Sequence, residues 1–109
     1  METSREQGQQ RPAVKPDLSL MVHADNMAEI LHILEEGLDQ TGAVAASIIT
    51  GAVTKIRDDY GTRDFRMWAE EGERSRDLYN QILSKLQEAT RFGYEDAASL
   101  LSELTGTKH

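Results

Sequence analysis

The sequence predicts an all-α fold: a small helical bundle of three main helices plus a short C-terminal helix, assembled as a dimer. Three observations lead there. Apolar residues recur at three- and four-residue spacing along most of the chain, the period of a helix with one buried face. Glycine, asparagine and aspartate interrupt that pattern where helices would begin and end. The stretch from Gln40 to Thr54 holds no charged residue, with two glycines and four alanines. A helix of that composition needs neighbours on more than one side.

The chain has 109 residues, enough for one domain with a modest core. Residues 1–16, "METSREQGQQRPAVKP", hold three bases, two acids and few groups able to pack, and are expected to form a disordered tail. Residues 17–109 are expected to form a single helical domain. The tail lacks the apolar run of a secretory signal. No span approaches the roughly 20 apolar residues of a membrane helix. The cytoplasm is the expected location, and signal-less export is the alternative. Cysteine is absent, which excludes disulfides, zinc–thiolate sites and thiol catalysis. A net charge of −7, from 19 acids and 12 bases, opposes sequence-independent binding to nucleic acid.

Helix one is expected from a cap at Asp25 or Asn26 to about Gln40, with Met27, Ile30, Leu31, Leu34 and Leu38 as its buried stripe. "LSLMV" (18–22) falls out of phase with that stripe, so a break is expected between His23 and Asn26. Helix two, about 42–58, places Val44, Ile48, Ala52 and Ile56 on one face and Ile49 and Val53 beside it. Ala43, Ser47 and Gly51 form a row of small residues, which lets another backbone approach closely. "DDYGTRD" (58–64) reads as a turn.

Helix three is expected to run unbroken from Thr62 or Arg63 to Arg91. Its seam is Phe65, Trp68, Gly72, Ser75, Tyr79, Ile82, Leu86 and Ala89. Gly72 and Ser75 make a narrow waist, where the small row of helix two is expected to cross, within one chain or between two. Ala43, Ser47, Gly51, Phe65, Trp68, Gly72 and Tyr79 are therefore the expected self-association set. After Gly93, a short helix from Tyr94 to Leu104 buries Ala97, Leu100, Leu101 and Leu104, and Gly106 closes it.

Residues 17–40 contain six acids and no base. Asp25, Glu29, Glu35, Glu36 and Asp39 thus form an expected partner-binding face, suited to another protein with a basic surface. Glu29-x-x-His32 has the spacing used in carboxylate-bridged metal bundles. It occurs once and lies opposite the apolar stripe, so no metal or cofactor is expected. Lys55, Arg57, Arg63 and Arg66 stand near Tyr60, Phe65 and Trp68, a mixture that can bind phosphate and stack on bases. Asp58, Asp59 and Asp64 share that corner and offset its charge, so binding of nucleic acid through Arg57, Arg63 and Arg66 is the alternative reading. No Ser/His/Asp arrangement or glycine-rich phosphate loop is readable, and an enzyme is not expected.

The length, the lack of cysteine, a central turn at Gly61 and "FGYED" (92–96), an aromatic residue four positions before an acid, resemble in outline the WXG100 class of small secreted helical hairpins. The Trp-x-Gly signature of that class is not at the turn: Trp68 lies within helix three, followed by "AEEG". The resemblance implies a two-helix hairpin, with helices one and two continuous, exported without a signal peptide. The function expected from the residues themselves is a non-enzymatic protein–protein interaction module: a small acidic adaptor, regulator or inhibitor acting by surface contact.

Overall fold

The computed structural model describes residues 18–106. The tail expected over 1–16 lies outside them. The described chain is all-α, without a strand: α1 is Leu18–Leu38, α2 Gly42–Thr54, α3 Thr62–Trp68, α4 Glu73–Arg91 and α5 Glu95–Thr105. α2 continues without interruption into a π-helical segment, Lys55–Tyr60.

α1 and α2 form one antiparallel hairpin, and α4 and α5 form a second. The contacts fix how the two lie together. Asp25 meets Arg74 near the start of both α1 and α4, while Glu35 and Asp39 stand beside Lys85 and Glu88 near the end of both. α1 and α4 are therefore parallel. Thr50 meets Asp96, and Arg57 meets Ser99 and Glu103, so α2 and α5 are parallel too. α3 connects the two hairpins at the end where α2 finishes.

The core is one cluster shared by all five helices. Met27, Ile30 and Leu34 of α1, Ile49 and Val53 of α2, Phe65 of α3, Ile82 and Leu86 of α4, and Leu100 and Leu104 of α5 are all buried in it. An aromatic group closes the α3 end. Phe65 packs 6.0 Å from Tyr79 and 5.8 Å from Trp68, between ring centres. The His23 ring stacks on Trp68 at 4.1 Å, and its Nδ1 lies 2.9 Å from Glu71 Oε1. This pins the first turns of α1 to the α3–α4 turn. Lys55 sits over the Tyr60 ring, 5.7 Å from its centre. Burial pushes the Tyr60 and Tyr79 phenols above their ordinary 10.0, against the opposing charges of Lys55 and Arg66 respectively.

Three expectations about elements are corrected, and the continuity of helices one and two that the hairpin resemblance implies is not found. α1 has no break at His23–Asn26; it runs continuously from Leu18. Helix two does not turn at 58: the π-helical segment carries it to Tyr60, and the Gly61 N–H closes the wide turn on the Ile56 carbonyl at 2.8 Å. Helix three is two helices. Ala69, Glu70 and Glu71 donate to carbonyls three residues back, which tightens and ends α3, and the extended Gly72 starts α4 afresh. The seam keeps its phase on either side of Gly72 because both helices turn their apolar faces to the same core. Helices one and two are not one rod. Thr41 is extended and Gly42 has φ +63°, a conformation suited to glycine, so the chain reverses between them.

The crossing expected between the small row and the waist at Gly72 does not occur within the chain. Ala43, Ser47 and Gly51 face solvent, and neither Gly51 nor Gly72 has a neighbour within 4 Å of where a Cβ would stand. The close approach lies instead at Gly37. A Cβ there would stand 2.8 Å from Ile49 Cγ1 and 3.1 Å from Ile48 Cγ2. Both isoleucines are β-branched and hold essentially one rotamer in a helix, so neither can swing aside.

Gly37 and Gly51 therefore respond oppositely to alanine. Gly37→Ala should destabilise the fold, because overpacking costs about 1–3 kcal/mol and exceeds the gain in helix propensity of roughly 1 kcal/mol. Gly51→Ala, with open space around it, should raise stability by about 0.5–1 kcal/mol. Urea unfolding in dilute solution checks both; equal effects would contradict the assigned crossing.

Candidate docking cleft

At the end of the bundle where α1 and α4 finish, the chain leaves two adjoining open clefts. The ends are built by local rules. α4 stops in a Schellman arrangement: Tyr94 N–H donates to the Ala89 carbonyl at 3.1 Å, Gly93 N–H donates to that of Thr90 at 3.0 Å, and Gly93 has φ +94°. This termination leaves Phe92 at the cap 64% exposed, the most exposed large apolar residue among those whose burial is described. α1 ends with Asp39 N–H on the Glu35 and Glu36 carbonyls and Gln40 N–H on that of Gly37.

One cleft, of about 400 Å³, is lined by Glu35, Leu38 and Asp39 from the end of α1, Lys85 and Glu88 from α4, and Phe92. Its one base is partly engaged, with Lys85 Nζ lying 3.6 Å from Glu88 Oε1. The other cleft, of about 290 Å³, is lined by Leu38, Gln40, Thr41, Gly42, Phe92 and Tyr94. It carries no charge. Leu38 and Phe92 border both, so the pair forms an acidic lobe and a neutral, partly apolar lobe divided by one exposed ring.

The acidic face expected on α1 is thereby split. Glu35 and Asp39 wall the cleft. Asp25 lies toward the other end, 3.1 Å from Arg74. Glu36 stands 3.8 Å from His32, with both side chains exposed, and Glu29 lies near enough to Tyr60 to add to the upward push on its phenol. Among the described residues no three histidine or acidic side chains gather as a metal site.

The self-association set is split too. Phe65 and Tyr79 are buried within their own chain, and Trp68 is half-buried beneath His23, whereas Ala43, Ser47, Gly51 and Gly72 are exposed. Of the basic corner, Arg57 holds Glu103 at 2.7 Å and Ser99 at 2.9 Å, and Arg66 donates to the Glu103 carbonyl at 3.3 Å. Arg63 is exposed. Two of the three arginines thus spend hydrogen bonds on α5 rather than facing outward unengaged.

Sequence reasoning missed Phe92, Lys85, Glu88 and Tyr94 as lining residues. A signal existed for Phe92, since an aromatic residue directly before a helix-ending glycine falls outside the buried stripe of α4. No protein-family model, curated protein or solved structure matches the chain.

Acids at the end of α1 work against the helix. The C-terminal end of a helix carries partial negative charge, and the last turn of α1 holds no base. Neutralising the pair by Glu35→Gln and Asp39→Asn should therefore raise stability by a few tenths of a kcal/mol, the scale of exposed helix-end charges. Thermal unfolding checks this; a loss of stability would show that the two acids serve the fold itself.

Proposed function

We propose that this chain is a non-enzymatic protein–protein interaction module, a small acidic adaptor or regulator that docks a partner at the end of its bundle. The observation that carries the reading is the exposed Phe92 ring standing between two clefts. A large apolar side chain held in water by a well-formed helix cap has no role in the core, and aromatic residues are enriched among the anchors of interfaces. The acids of the adjoining lobe supply selectivity for charge. Surface contact needs no catalytic group.

A second copy of the chain is a further partner in this reading. The outward side of α2 carries Ala43, Val44, Ser47 and Gly51 without a charge, and Val44 is 56% exposed. A helix face of this kind packs well against its own counterpart about a two-fold axis.

Two experiments separate the surfaces. Phe92→Ser should change stability by less than about 0.5 kcal/mol, as exposed substitutions do, and should abolish capture of a purified partner, as should Glu35→Lys with Asp39→Lys. Capture unchanged by all three substitutions would remove the cleft from function. Ser47→Arg should halve the mass seen by light scattering while leaving helicity intact; a wild-type chain that is monomeric throughout would refute the dimer.

A further inference from the structure

We infer, resting on the docking reading above, that the cleft takes a partner segment of one particular chemistry: an arginine or lysine beside a bulky apolar side chain. The base would lie over Glu35 and Asp39, the acids that Lys85 leaves unmatched by its contact with Glu88, and the apolar group would pass Phe92 into the neutral lobe.

The argument starts from how this fold treats its helix ends. α5 ends with donors supplied to it: Arg66 donates to the Glu103 carbonyl at 3.3 Å and the Tyr79 hydroxyl to that of Leu104 at 3.3 Å. α4 ends with Arg91 in its last turn and the Schellman bonds at Gly93. Among the described residues, the end of α1 takes only the backbone bonds from Asp39 and Gln40, with no side-chain donor and no Schellman pair. Its last turn has no base, and Glu35, Glu36 and Asp39 add full negative charge where the helix already presents its negative pole. Because α1 and α4 are parallel, the negative poles of both helices meet at the acidic lobe, with Glu88 from the last turn of α4 beside them. A local rule broken without gain to the fold is most often found at a binding site.

The shape of the charge narrows the ligand. The acids are spread along two facing helices, with Lys85 offsetting Glu88 and leaving Glu35 and Asp39 in excess, and do not gather on a single point as a metal ion needs. A spread of carboxylates suits an extended cation, and a guanidinium presents donors in a planar fork that matches them. α2 begins at Gly42, so its positive pole faces the neutral lobe, and a second base would be unwelcome there. With about 290 Å³ of volume, bordered by Leu38, Phe92 and Tyr94, this lobe has room for one large apolar side chain rather than a drug-sized molecule. The two lobes together therefore ask for one cation and one apolar anchor, side by side.

The test is selection from a random peptide library displayed against the immobilised full chain, followed by mapping of the selected peptides through backbone amide shifts. The expected peptides carry arginine or lysine next to a large apolar residue. They shift Leu38 to Gly42 and Phe92 to Tyr94, bind more weakly as salt rises, and lose about tenfold or more in affinity to the Glu35→Lys, Asp39→Lys chain. Peptides that map to the cleft without a base, and bind independently of salt, would overturn the inferred chemistry while leaving the docking reading in place. Peptides that map elsewhere, or a library that yields none, would overturn both.

Discussion

Everything in this fold rests on how closely α1 and α2 can lie. The missing side chain at Gly37 lets Ile48 and Ile49 of α2 press against the backbone of α1. That contact fixes the first hairpin. Its geometry then sets where Ala52, Val53 and Ile56 meet the rest of the core, and where Tyr60 reaches the aromatic group under α3. The second hairpin is laid alongside in the same sense and joined by pairs across it: Asp25 with Arg74, Arg57 with Glu103, Thr50 with Asp96. These exposed pairs set alignment more than stability. The stability comes from the shared apolar cluster.

The sequence made the helical class and most core residues legible. Met27, Ile30, Leu31 and Leu34, then Tyr79, Ile82, Leu86 and Ala89, follow a period that a buried helix face imposes. What periodicity could not show was continuity. Phe65 and Trp68 keep phase with Ser75 and Tyr79 across a break at Gly72, because two helices facing one core can carry one pattern. The reverse error occurred at His23, where a change of phase suggested a break and α1 runs straight through. The uncharged stretch of α2 was read as small residues seeking a close neighbour. The close neighbour exists, but the glycine that permits it is Gly37 on the other helix.

The cleft was half legible. Glu35 and Asp39 belong to an acidic run that is plain in the sequence, and the structure singles them out from Asp25, Glu29 and Glu36 by bringing α4 alongside. Phe92 was less visible, since its exposure follows from the geometry of a helix cap rather than from composition. The basic corner shows the opposite effect. Arg57 and Arg66 look outward-directed in one dimension, and tertiary structure turns them onto α5. Linear charge runs therefore misstate surfaces in a bundle whose helices pair charges across long sequence separations.

The chain has one tryptophan, and its position makes the molecule its own two-ended gauge. Trp68 lies under His23 near the start of α1, whereas Leu38 and Phe92 mark the far end. From His23 to Leu38 the helix spans roughly 22 Å at 1.5 Å per residue. Tryptophan emission, excited apart from tyrosine, is thus a local witness to the seating of the first turns of α1 and is largely blind to what lies between Leu38 and Phe92. A ligand at the cleft that nonetheless altered that emission would have to act through the length of α1, so a single spectrum separates simple occupancy from a change carried along the helix.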